Sequence, residues 1–205
     1  MDHDESVRLF GPWAPRTPAD AAALLADYPG RWWIAGGWAI ETYTGVLREH
    51  GDVDPSIPRA DVGLLREHLR GRLDVWAADS GTMWPLLSAT DDVLPRSCEN
   101  LWLRDGGAAP WEYDVILMDA TEETWTFKRD GRITRPLEEI LVARDGIDYL
   151  RPEVQLLHKA RGRRPKDDQD LAACLPLLDA EPRAWLVDAL ALAHPGHPWI
   201  ARLRA

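Results

Sequence analysis

Cysteine is almost missing from this chain: Cys98 and Cys174 are the only two, far apart and without CxxC spacing. Neither a disulfide framework nor a zinc site of paired cysteines is indicated. Positive charge is also short. Lys and Arg number 24 against 34 Asp and Glu, a formal net charge of −10, whereas a general nucleic-acid binder would carry a basic surface. Nucleic acid is therefore not an expected partner. An acidic cleft raises the local concentration of cationic ligands, but the same balance also serves solubility alone, and charge leaves both readings open. No apolar run approaches the length of a membrane span. The start, Met1-Asp2-His3-Asp4-Glu5, has neither the basic nor the apolar region of a signal peptide. A cytoplasmic protein with no membrane partner is expected, without internal repeats or low-complexity segments.

Tryptophan, by contrast, is abundant, with 11 among 205 residues. Most should pack in the core, and some would offer flat apolar walls to a ligand. The length fits one domain, or one with a small appendage. Residues 1–16, with Pro12 and Pro15, read as an extended arm. Thr17-Pro18-Ala19-Asp20 is a helix start with a Thr N-cap, Pro at the first helical position and an acid in the first turn. A short buried strand, Trp32–Ala35, turns at Gly36-Gly37 into a helix to about Leu47. A strand over Asp52–Ile57 follows, then a helix with Val62, Leu65 and Leu69 on one face. Leu73–Ala77 reads as a strand, and 79–99 gives no clear pattern. Leu101–Leu103 with Trp111–Leu117, and Trp125–Phe127 with Ile133–Thr134, read as two hairpins. From Pro136 the pattern becomes helical: Leu137–Val142, Glu153–Arg161, Asp167–Leu178 and Pro182–Ala193. The expected organisation is an αβ domain over 1–135 and a C-terminal helical region over 136–205 packed on it.

The chemistry concentrates around Trp32–Ile57. Glycines between a strand and a helix N-terminus let backbone approach a phosphate, where amides and helix dipole favour negative charge. A Gly-Gly pair alone is more often a plain turn. Asp52 and Asp54, at i and i+2 on a strand, share a face, as two ligands of a hard divalent cation must. A third carboxylate, Asp114, lies beside the apolar Val115-Ile116-Leu117 run; Glu112 shares its face and competes for the role. Three carboxylates on adjacent strands would hold two Mg²⁺ about 3.5–4 Å apart, and Asp114 would serve as a ligand and general base. Lys159 and Lys166 are candidate cations for a triphosphate, against a reading in which Asp167 or Asp170 merely pairs with Lys166. His50 beside the metal strand reads first as a hydrogen-bonded structural histidine. Trp38 and Trp111 read first as core.

Taken together, Gly36-Gly37-Trp38-Ala39-Ile40, the Arg48-Glu49-His50-Gly51-Asp52-Val53-Asp54 segment and Asp114 resemble the nucleotidyltransferase superfamily, and more closely its aminoglycoside nucleotidyltransferase-like, antibiotic adenylyltransferase-type branch. The likeness continues through Tyr149–Ala160, Arg164–Asp170 and the His194–Trp199 close. It implies an α/β (α+β) nucleotidyltransferase fold, a small mixed β-sheet flanked by helices with a C-terminal helical part. It implies an enzyme that transfers a nucleoside monophosphate from an NTP, ATP above all, to a hydroxyl of a small molecule, an aminoglycoside-like antibiotic. In this reading Gly36, Gly37, Lys159 and Lys166 bind the nucleotide, and Asp52, Asp54 and Asp114 are catalytic and hold two Mg²⁺. Acidic side chains such as Glu41, Asp91, Asp92 or Glu112 would receive the ammonium groups of a cationic acceptor.

One residue strains this pattern. Pro55, directly after the second metal-binding acid, removes a ladder donor, so the strand is expected to lie at an edge or to end early there. A non-catalytic nucleotide-binding protein of the same fold is the alternative Pro55 supports. A toxin-like transferase acting on protein or tRNA is a third.

Overall fold

The computed structural model describes residues 3–162 and 164–205, except the side chains of residues 3, 4 and 6. Met1 and Asp2, the first residues of the expected arm, lie outside that range. The rest of that arm is not extended throughout: His3–Phe10 forms α1, and only 12–16 runs as open chain. That stretch is pinned to the sheet, since Ala14 N–H donates to the Trp111 carbonyl (2.7 Å) and Trp111 N–H to that of Pro12 (2.9 Å).

Helix α2, Pro18–Leu24, starts on the expected signal. The Thr17 hydroxyl accepts the Asp20 amide while the Asp20 carboxylate accepts the Thr17 amide, a reciprocal capping box. Strand β1 (Trp33–Ile34) is wholly buried and leads into α3 (Gly36–Thr44), which stops at Gly45 in the left-handed conformation. Strand β2 runs from Pro55 to Pro58, then α4 (Val62–Leu69) buries Val62, Leu65 and Leu69 as their spacing predicts. Next come β3 (Asp74–Asp79), β4 (Thr82–Pro85), β5 (Asn100–Arg104) and β6 (Tyr113–Met118). A separate two-stranded ribbon pairs β7 (Thr124–Thr126) with β8 (Thr134–Pro136).

Beyond Pro136 the chain does not turn helical at once. After a single 3₁₀ turn, β9 (Leu141–Arg144) and β10 (Ile147–Leu150) form a hairpin across Asp145-Gly146, both at positive φ. β10 then pairs in parallel with β1. The sheet therefore draws strands from both sides of the expected 135/136 boundary, and helix takes over only at Pro152. The apolar spacing of Leu137–Val142 was too short to separate a helical turn from a buried strand. The remaining helices are α5 (Pro152–Lys159), α6 (Pro165–Cys174), α7 (Ala180–Ala193) and α8 (Trp199–Arg204).

The main sheet has eight strands in the order β4-β3-β5-β6-β2-β1-β10-β9. It is mixed, with β1–β10 and β2–β6 parallel and the other neighbours antiparallel. Helix α5 packs on α3, α6 and α7, and α6 also packs on α3. Of the tryptophans, Trp33, Trp102, Trp111, Trp125 and Trp199 are buried and the others partly so. No helix of the described residues is long and apolar enough to cross a membrane.

Candidate active site

Pro55 stands at the first position of a strand inside the sheet, between β1 and β6, and not at an edge. A first residue needs no ladder donor. The carbonyls before it keep the pairing going: Asp54 O accepts from Ala35 N–H (2.9 Å) and Val53 O from Asp114 N–H (3.1 Å). Asp52 and Asp54 thus precede β2 instead of lying within it, with Asp54 bonded to Ala35 and Val53 to Asp114. The support that Pro55 lent to a broken metal site falls away.

Asp52, Asp54 and Asp114 come together, with carboxylate oxygens all within 4.8 Å of one another, and are the group of the described residues able to hold a metal ion. Burial and the charges of Asp52 and Asp114 push the Asp54 carboxyl well above the usual range. Burial, then Asp52, raises Asp114 to about 7 against the opposing hydrogen bond from Asn100. That bond, Asn100 Nδ2 to Asp114 Oδ1 at 2.6 Å, comes from the neighbouring strand β5. Like charges so close favour protonation or a bound cation. Glu112, the competing acid, points elsewhere: Arg16 holds it at 2.6 Å.

Both glycines line the cleft, and Gly36 has a second constraint. Gly36 has φ +67°, and a Cβ there would fall 1.7 Å from Asp54 Oδ2. Its N–H donates to Gln155 Oε1 at 2.7 Å. Gly36 thus makes room for a carboxylate and ties α3 to α5. Beside Gly37 stand Arg48 and His50.

Helix α3 also fixes the segment carrying Asp52. Glu41 Oε2 accepts the Arg48 amide (3.1 Å) and meets His50 Nε2 (2.8 Å). Trp38 stacks on His50 with ring centroids 4.0 Å apart and donates Nε1–H to the Asp52 carbonyl (3.2 Å). Burial lowers the His50 pKa, opposed by its bond to Glu41. His50 thus lines the cleft while bonded to Glu41, and Trp38 stacks behind it.

The same cleft is also lined by basic side chains. Lys159 is buried, its ammonium 2.8 Å from Asp170 and 3.5 Å from Asp167. Those two acids therefore pair with Lys159, and Asp167 also with Arg164 (3.0 Å), instead of with Lys166. Lys166 lines the cleft, its pKa lowered by burial and then by Arg164. The cleft encloses about 490 Å³ and is bounded by Gly36, Gly37, the three aspartates, Arg48, Arg164 and both lysines. Trp13, Trp102 and Gln155 also line it. None of these three was singled out from the sequence: strand alternation put Trp102 beside Asn100, but only the fold brings Trp13 across. Trp111 sits in the core at 2% exposure, its indole N–H on the Phe10 carbonyl.

No protein-family model matches the chain, and no curated protein matches its sequence. Solved structures do resemble its fold. ANT(2")-Ia in complex with adenylyl-2"-tobramycin aligns with TM-score 0.51 and 15% identity, covering 83% of this chain and 92% of that one. Lincosamide antibiotic adenylyltransferase LnuA, lincomycin-bound, gives 0.49 and 15%, over 76% and 92%. The Megavirus polyadenylate synthase gives 0.47 and 12%, over 78% and 31%. This chain therefore shares the overall fold of ANT(2")-Ia, a mixed sheet flanked by helices.

Proposed function

We propose that the cleft transfers a nucleoside monophosphate from a nucleoside triphosphate, ATP first among them, to a hydroxyl of a small molecule, releasing pyrophosphate. The observation that carries this reading is the presence of both signs of charge in one cleft. Three clustered carboxylates share its lining with Arg48, Arg164 and Lys166.

The donor set suits a hard divalent cation. Asp52, Asp54 and Asp114 offer oxygen ligands only, the preference of Mg²⁺, and added positive charge would offset the burial and the repulsion that together raise Asp54 and Asp114. When bound, two Mg²⁺ would neutralise phosphate charge and make the acceptor hydroxyl more acidic. Arg48, Arg164 and Lys166 supply the cationic bed for the triphosphate. Lys159, already held by Asp167 and Asp170, acts from beneath, its charge favouring ionised Asp54.

In the transfer, the acceptor oxygen forms a bond to the α-phosphorus as the bond to the α–β bridging oxygen breaks. Pyrophosphate leaves with that electron pair, and Asp114 takes the hydroxyl proton. Asn100, bonded to one Asp114 oxygen, orients the other. An aminoglycoside-like antibiotic is the first acceptor to try, because a protein of this fold holds adenylyl-2"-tobramycin.

The test is mass spectrometry of the protein with Mg²⁺, each NTP and an acceptor panel, looking for the mass of one added nucleotide. Asp52→Ala and Asp54→Ala, still folded by circular dichroism, should each lose at least about 10²-fold in rate. Undiminished transfer in either variant sinks the assignment.

A further inference from the structure

Beyond Trp102 and Asp114 the cleft continues into a second cavity of about 220 Å³, whose walls include Phe10, Met83 and Asp79. We propose that this cavity holds the acceptor, and that the acceptor is a hydroxyl compound with one flat apolar face and at most one positive charge. The inference rests on the transfer reading above but departs from its first acceptor, replacing a polycationic antibiotic by a compound with at most one charge.

Position comes first. The second cavity shares Asp114 with the cleft, so an occupant there presents its hydroxyl to the group that takes the proton. The wall is aromatic. Trp102 is met edge-on by Phe10 at 5.7 Å and by Trp13 at 4.8 Å, a surface suited to the apolar face of a sugar or an aryl ring.

Charge then limits the class. Besides Asp114, Asp79 is the carboxylate lining the cavity. It accepts the hydroxyls of Ser80 (2.9 Å) and Ser97 (2.6 Å) and carries no paired cation in these bonds. Glu112 is taken by Arg16, Glu41 meets His50, Asp92 pairs with Arg66, and Asp91 accepts the amides of Leu87 and Ser88. All four acids expected to receive ammonium groups are thus already engaged. Two residues along the same face of β5 from Trp102, Arg104 lies between Trp76 and Trp111, at 4.4 and 4.2 Å from their ring centroids. It occupies the faces of two rings outside the cavity lining. A polyamine ligand would gain one ion pair at Asp79 and, apart from the reacting Asp114, find no second carboxylate among the described residues that line the cavity.

The experiment titrates the full-length protein by tryptophan fluorescence with three compounds. These are tobramycin, an aryl glycoside bearing one amino group, and its neutral hydroxyl counterpart. Product is followed in parallel by mass spectrometry with Mg²⁺ and NTP. The monoamino glycoside should bind at least tenfold tighter than tobramycin. Asp79→Asn should weaken the amino glycoside severalfold and leave the neutral one unchanged. Phe10→Ala, at the pocket mouth, and Trp102→Phe should weaken both. Tighter binding of tobramycin, or equal loss for both glycosides in Asp79→Asn, overturns the assignment. Glycoside binding as expected with no product from any NTP refutes transfer but not the pocket. Efficient product on tobramycin above all others refutes the pocket's class but not transfer.

Discussion

Gly36→Ala isolates the feature on which the site geometry depends most. Two costs combine there. An L-residue at φ +67° loses about 1–2 kcal/mol against glycine. The new methyl would also stand 1.7 Å from Asp54 Oδ2, an overlap that forces a shift of the kind costing about 1–3 kcal/mol in a packed site. Gly45→Ala separates the two: φ is +69° there, with nothing within 4 Å of the added Cβ, so only the backbone cost applies. For a chain of this length about 1 kcal/mol corresponds to about 2–4 °C in Tm. Gly45→Ala should thus fall by about 2–8 °C, and Gly36→Ala by about twice as much. The functional difference should be larger still. Moving the Asp54 carboxylate by about 1 Å would cost on the order of 10²-fold in rate, while Gly45→Ala keeps full activity. Differential scanning calorimetry and the nucleotide-transfer assay together read this out. Equal Tm losses in the two variants, with transfer retained in Gly36→Ala, would refute the close approach of Gly36 to Asp54.

Two further predictions follow from buried charge. Asp170→Ala removes the nearer partner of the buried Lys159 ammonium and should cost about 3 kcal/mol in chemical denaturation; Asp168→Ala, on the half-exposed pair with Arg202, should cost under about 1 kcal/mol. His158 is held neutral, its pKa driven well below the usual value by burial and then by Lys128 and Arg129. The unfolded chain therefore binds a proton first as pH falls below about 6.5. The stability present above that pH is lost towards the folded-state pKa, by up to about 1.4 kcal/mol per pH unit. Denaturation of His158→Gln between pH 5 and 7 should show a shallower slope than the parent; an identical slope would remove His158 as its source.

What the sequence determined by itself was whatever local chemistry enforces. Thr17-Pro18-Ala19-Asp20 carries its own helix start, because the cap needs only residues three apart. Val62, Leu65 and Leu69 read as one buried face, and Asp52 and Asp54 as partners, because period alone sets which side chains share a side. The β9–β10 hairpin escaped that reading because its four-residue strands are too short to show a period, and its place beside β1 is a long-range pairing. Pro55 looked like a defect because a missing amide matters only relative to neighbouring strands, and tertiary structure placed it where none is required. Only the fold could assign Glu112 to Arg16 and Asp114 to the site, since residues two apart are separated by what lies on the facing strands. Only the fold, too, could show that the space beside Gly36 is the one Asp54 occupies.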